Sequence, residues 1–281
     1  MAGFGPLITP GELQALMTAG GVRVLDATWR MPGDPRDPRA EHRAAHIPGA
    51  VFFDIDALSD GASPLPHMLP SPHAFAEAAG ALGLSLQDKV VVYDQAGLMT
   101  APRAWWTLRA MGFTQVAVLD GGLGAWRAAG GAVEAGEVAS PPAATRAILR
   151  ADLVRTFDEV RAVLASGAAQ LADARPAARF RGEAPEPRPG LRRGHMPGAR
   201  SLPWTYVTTP DGFLRPPVAL QAAFAAAGID VERPVITTCG SGVTACVLAL
   251  ALARLGREAA VYDGSWSEWG GRDDAPVATG P

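Results

Sequence analysis

One half of this chain is a rewritten copy of the other. LITPGELQALMTAGGVRVLDATWR (7–30) reads like LVRTFDEVRAVLASGAAQLADARP (153–176), with Thr9 answering Thr156 and Asp26 answering Asp173. HIPGA (46–50) returns as HMPGA (195–199), VVVYDQAG (90–97) as PVITTCGSG (234–242), and VLDGGLGAW (118–126) as VYDGSWSEW (261–269). Because the spacing between matched pieces hardly drifts, the chain reads as a duplicated domain, and whatever one half folds into, the other must fold into as well.

Each copy alternates short β-branched runs with longer helical patterns. AQLAD (169–173), PVITT (234–238) and AAVYD (259–263) read as strands. FDEVRAVLASG (157–167), ALQAAFAAAG (219–228) and TACVLALALARLG (244–256) read as helices. Thr156 is expected to open the first of these helices, with Glu159 three residues on closing a capping box. Gly228 and Gly256 stand where the helix ends are expected. Strands alternating with helices predict an α/β fold of two tandem domains, each a mostly parallel sheet with helices on both faces. The expected division is a first domain over 1–135, a linker over 136–150 within and just past the unpatterned Ala-, Pro- and Gly-rich run 131–149, and a second domain over 151–281.

Composition narrows the function. Of 281 residues, 48% are hydrophobic and 19% charged, which is globular, and a net charge of -3 gives no reason to expect nucleic acid or an acidic membrane as partner. The opening MAGFGPLITPGEL has neither a basic region nor a long apolar run, and VITTCGSGVTACVLALALARL is too interrupted to span a bilayer. A soluble protein of the reducing cytoplasm is expected. Two cysteines, Cys239 and Cys246, are no disulfide framework, and without a Cys/His cluster at ligand spacing no metal is expected.

Cys239 carries the chemistry. CGSGVT (239–244) follows a predicted strand and opens a predicted helix, at the end of an α/β strand where ligands bind. Gly240 and Gly242 let several backbone N–H groups turn to one point, and the helix N-terminus adds positive potential. A thiol there is expected to be reactive rather than a small core residue. A phosphatase loop of this kind needs an arginine six positions on, where this chain has Ala245. A thioredoxin-like pair needs C-x-x-C, but Cys246 is seven positions away and is expected in the helix core. Sulfur transfer through a persulfide remains, with the loop from Gly240 through Val243 to Thr244 around the outer sulfur and Thr244 capping it. The first copy has Asp94 in place of the cysteine, so that half is expected to be non-catalytic, a lid over a site between the halves.

These features carry a resemblance. CGSGVT after a strand, the paired HxPGA motifs and AAVYDGSWSEW (259–269) resemble the two-domain rhodanese family, and within it the branch using 3-mercaptopyruvate. The likeness spans nearly the whole chain, including ARFRGEAPEPR (178–188). One departure is that the family has Phe or Tyr four residues before the HxPGA histidine, where this chain has His42 and Leu191. The resemblance implies a sulfurtransferase that passes sulfur from 3-mercaptopyruvate to a thiol such as thioredoxin or a small thiol, or to cyanide, with no cofactor. It implies that Arg179 and Arg188 hold the donor, which suits the bidentate grip of guanidinium on carboxylate. It further implies that Ser241 acts on the substrate, with His46 and Asp37 as relay partners, although His46, like His195, equally fits a structural turn. In the thiosulfate-using branch the loop resembles CRKGVT, whose two cations are replaced here by Gly240 and Ser241. Thiosulfate:cyanide transfer is the alternative activity, and a non-catalytic sulfur-carrier-binding module the alternative class.

Overall fold

The computed structural model describes residues 4–281. The chain forms two compact units. Unit 1 comprises residues up to Asp60, Leu69–Arg150 and Pro210–Leu214, and unit 2 comprises Gly61–Met68, Ala151–Thr209 and Arg215–Pro281.

Unit 1 contains β1 (Leu7–Ile8), α1 (Pro10–Ala19), β2 (Val22–Asp26), α2 (Pro38–Ala44), β3 (Val51–Phe52), α3 (Pro72–Ala81), β4 (Lys89–Tyr93), α4 (Ala101–Ala110), β5 (Val116–Leu119) and α5 (Gly122–Ala128). Its parallel sheet has the order β1-β5-β4-β2-β3. Unit 2 contains β6 (Val154–Arg155), α6 (Phe157–Ser166), β7 (Gln170–Asp173), α7 (Ala177–Phe180), β8 (Arg200–Ser201), α8 (Pro217–Ala226), β9 (Val235–Thr238), α9 (Ala245–Arg254), β10 (Ala260–Tyr262) and α10 (Ser265–Trp269). Its order, β6-β10-β9-β7-β8, is the same topology strand for strand.

Local chemistry explains the elements. Thr9 and Thr156 each accept the N–H of a glutamate three residues on, Glu12 or Glu159, whose carboxylate returns to the cap N–H. Both boxes therefore satisfy N-terminal donors that a helix leaves unpaired. Gly228 and Gly256 are left-handed just past α8 and α9, as expected. The central strands β4 and β9 are buried on both sides, which is why they read as apolar or threonine runs without alternation. In unit 2, Leu171, Ile236, Ala260 and Tyr262 point to one face, where α6 and α10 supply Phe157, Val160, Trp266 and Trp269. α9, all buried through Leu252, covers β9 and β10 from the other face.

Residues 136–150, expected as a linker, belong to unit 1. Ala143 donates its N–H to Gly80 O, Ile148 to Met111 O and Arg150 to Ala110 O. The strap lies so close that a Cβ on Gly80, Gly83 or Gly112 would strike Ala143 O, Ser140 or Ile148 O. The polar, Pro-rich sequence hides this because the strap is held through its backbone rather than by apolar side chains.

Candidate active site

In unit 2 the strand order reverses between β7 and β9, and the crevice outside their carboxyl ends is where open α/β sheets bind ligands. Cys239 follows β9 directly there and is 2% exposed. The first turn of α10 grips its loop. Ser265 Oγ accepts the Cys239 N–H at 3.3 Å, and the Trp266 N–H donates to Cys239 O at 3.0 Å. Gly240 O accepts both the N–H and the hydroxyl of Ser267, at 2.8 and 2.7 Å. Gly242 provides the left-handed turn, with φ 79°. Its carbonyl accepts the Cys246 S–H at 3.1 Å, so Cys246 packs inside α9 with its sulfur directed to the backbone. Val243 is buried, and its carbonyl accepts the Cys246 N–H. Thr244 is the N-cap position of α9, in a helical conformation and with no side-chain capping bond to the helix.

Arg179, on α7, lies over this loop. A Cβ on Gly240 would come within 3.0 Å of its terminal nitrogen, so glycine is what lets the guanidinium reach the cysteine turn. Arg179 is held by Glu186, which bonds its Nε at 3.2 Å and one terminal nitrogen more closely still. The other Glu186 oxygen binds Arg175 at 2.9 Å, and Arg175 forks onto Asp173 at the end of β7. The result is a chain of alternating charges, Asp173, Arg175, Glu186 and Arg179, running from the sheet to the loop. Burial works against the Arg175 charge, but Asp173 and Glu186 overcome it and hold its pKa above the ordinary arginine value. Arg175 also stacks on Trp266, 4.2 Å from the ring centroid. Arg188 is half-buried two residues beyond Glu186, on the same segment.

Ser241 is buried, and its Oγ lies 3.0 Å from Nδ1 of His67. His67 belongs to the short Gly61–Met68 segment of unit 2 and adopts a left-handed backbone, φ 62°. Sequence reasoning missed this residue. Its one signal is a histidine among prolines, SPLPHMLP, where the second copy has no match.

The structure gives His46 and Asp37 other work than the relay drawn from resemblance. His46 is fully buried in unit 1, with Nδ1 on His42 O at 2.8 Å and Nε2 on Glu134 at 3.2 Å. Both ring nitrogens are thereby engaged, and its backbone pairs with Glu134. His195 does the same in unit 2, pairing with Ala278 and sending Nδ1 to Phe180 O. The HxPGA histidines are turn anchors. Asp37 is the N-cap of α2 and accepts the Arg39 N–H at 2.9 Å.

A sheet of this order with a glycine-flanked cysteine at its switch point defines a class. Residues 9–129 and 156–272 each match the rhodanese-like domain, and the chain belongs to the rhodanese family. The 3-mercaptopyruvate sulfurtransferase of Escherichia coli (strain K12) is 46% identical over 258 residues, covering 91% of this chain and 92% of that protein. The thiosulfate sulfurtransferase of Bos taurus is 44% identical over 253 residues, covering 89% and 85%. The crystal structure of SseA from Escherichia coli, described as a 3-mercaptopyruvate sulfotransferase with the rhodanese fold, is similar with a TM-score of 0.86. It is 41% identical and covers 93% of this chain and 99% of that one. Among the described residues no helix is long and apolar enough to cross a membrane.

Proposed function

We propose that this chain is a 3-mercaptopyruvate sulfurtransferase that works through a persulfide on Cys239. The observation that carries the reading is Arg179 poised over Gly240, one residue from the cysteine. A loop without its own cations is thus served by a guanidinium brought from α7, the partner that a carboxylate needs. Arg179 and Arg188 take the carboxylate and ketone of the donor. The Cys239 thiolate attacks the donor sulfur, the carbon–sulfur bond breaks, and its electron pair leaves on carbon as the enolate of pyruvate. Ser241, hydrogen-bonded to His67, delivers the proton to that carbon. The loop amides from Gly240 to Thr244 hold the outer sulfur as an anion until a thiol, such as thioredoxin or a small thiol, or cyanide removes it. Residues 151–281 carry the nucleophile and the donor-binding arginines, and 1–135, with Asp94 in place of the cysteine, contribute His67 from the Gly61–Met68 segment. The cycle needs neither metal nor organic cofactor, and a cytoplasmic location suits a thiol that must stay reduced.

Two measurements test this. Treatment with 3-mercaptopyruvate adds about 32 Da at Cys239, and Cys239→Ser neither gains the adduct nor transfers sulfur. On one preparation, kcat/KM for 3-mercaptopyruvate exceeds that for thiosulfate. Activity surviving in Cys239→Ser overturns the mechanism, and a preference for thiosulfate overturns the donor.

A further inference from the structure

Among the described residues, His67 and Ser265 are the two non-glycine residues with a left-handed backbone. Both touch the cysteine loop, His67 at Ser241 and Ser265 at Cys239. A seryl residue at φ 49° is under local strain, and such strain persists only where the surroundings impose it.

The first copy shows what an unstrained version looks like. VLDGGLGAW (118–126) matches VYDGSWSEW (261–269), so Gly122 stands for Ser265. Gly122 takes the same left-handed turn, φ 56°, at no steric cost, and a Cβ there would collide with Asp94 O. Leu123 N–H donates to Asp94 O as Trp266 N–H donates to Cys239 O. The same turn is therefore built twice, once with a relaxed glycine beside an aspartate and once with a strained serine beside the cysteine.

The Ser265 hydroxyl is fully used. It donates to Tyr262 O at 2.8 Å and accepts both the Thr238 hydroxyl and the Cys239 N–H at 3.3 Å. One hydrogen and two lone pairs allow no more. With Cys239 N–H on Ser265 and Cys239 O on Trp266, the peptide planes on both sides of the cysteine are fixed, and with them the direction of its Cα–Cβ bond. We propose that Ser265 is a positioning residue which accepts backbone strain in order to aim the Cys239 sulfur at the donor. This rests on Cys239 being the nucleophile.

Strain relief and aim then pull in opposite directions, which a merely structural residue would not show. Ser265→Gly removes both the strain and the hydroxyl, while Ser265→Ala removes the hydroxyl alone. In both, kcat with 3-mercaptopyruvate falls about tenfold, the size of the lost bond to the Cys239 N–H carried into the barrier. KM for the donor stays within about twofold, since Arg179 and Arg188 are untouched. Both variants lose the three bonds of the hydroxyl and melt below the parent, and Ser265→Gly melts above Ser265→Ala because glycine alone relieves the strain. Wild-type kcat in Ser265→Ala overturns the proposal, as does a Tm of Ser265→Gly at or below that of Ser265→Ala. Cys239→Ser run alongside separates the cases: if it is inactive while Ser265→Ala is fully active, the nucleophile stands and the aiming role falls. If Cys239→Ser is active, the site reading falls first.

Discussion

Asp94 and Cys239 occupy the same turn of two copies of one fold, and the loops around them solve opposite problems. In unit 1 the Asp94 carboxylate folds back into its own loop. One oxygen accepts the Ala96 N–H at 2.9 Å. The other accepts those of Met99, Thr100 and Ala101 at 3.1, 2.7 and 2.8 Å. Burial pushes this carboxyl above the usual range, although the amides of Ala101, Thr100 and Ala96 pull it back. The matched positions in unit 2 are Ser241, Thr244, Ala245 and Cys246. A neutral thiol cannot take up four such donors, whereas a sulfur anion can. The turn is thus an anion holder in both copies, filled by the chain's own side chain in one and kept for a reacting group in the other. A second contrast follows the same line. Asp26, at the end of β2, is satisfied by neutral or titratable neighbours, Thr28, His42 and Tyr93. Asp173, at the end of β7, is met by Arg175, which passes charge onward to the site.

The most severe way to break the comparison is to write one loop into the other. Cys239→Asp should lower sulfur transfer by about a thousandfold or more, because the nucleophile is gone. It should nevertheless unfold no more easily than Cys239→Ala, since the new carboxylate can take the loop amides. If it is markedly less stable than the alanine variant, the two turns are not equivalent anion holders. Next in size is Asp94→Ala, which strands the buried amides of Thr100 and Ala101 and releases the more exposed ones of Ala96 and Met99, and should cost about 4 kcal/mol in urea unfolding. A cost below about 1 kcal/mol would mean that the Asp94 contacts do not hold unit 1 together. Arg175→Met leaves Asp173 buried without its cation and Glu186 with Arg179 alone, and should cost about 3 kcal/mol. It should also raise KM for the donor through Arg179, and an unchanged KM would detach the charge chain from binding. The smallest effect sharpens the likeness. Thr9→Ala and Thr156→Ala should each cost about 1 kcal/mol and match each other within error, because the two capping boxes are the same.

The fold was legible because duplication supplied a second reading of every element. The strands around Leu171, Ile236 and Val261 and the helices α6, α8 and α9 could be placed from periodicity and end signals alone. The cysteine turn was legible for the same reason, since Gly240 and Gly242 beside a thiol at a strand end leave few chemistries. His67 was not legible, because no repeat places it and 174 residues separate it from Ser241. His46 misled because its motif occurs in both copies, which marks a turn as readily as a catalytic group. Only its bonds to His42 O and Glu134 decide between them. Glu186 carries no signal within PEPRPG, yet it links Arg175 to Arg179. Long-range pairing of charges leaves no local pattern to read.

The strap over 136–150 has a practical consequence for anyone wishing to separate the halves. Its backbone bonds to Gly80, Ala110 and Met111 carry the first long stretch of unit 1 through to Arg150, past the point where the repeat ends. A fragment stopped at residue 135 would uncover Gly80 in α3 and Gly83 and Gly112 just past α3 and α4, leaving their backbone to water and to other chains. One carried through Arg150 keeps them covered. A protease cut inside the strap would therefore act as a slow unzipping of the first half, and would not release two intact domains.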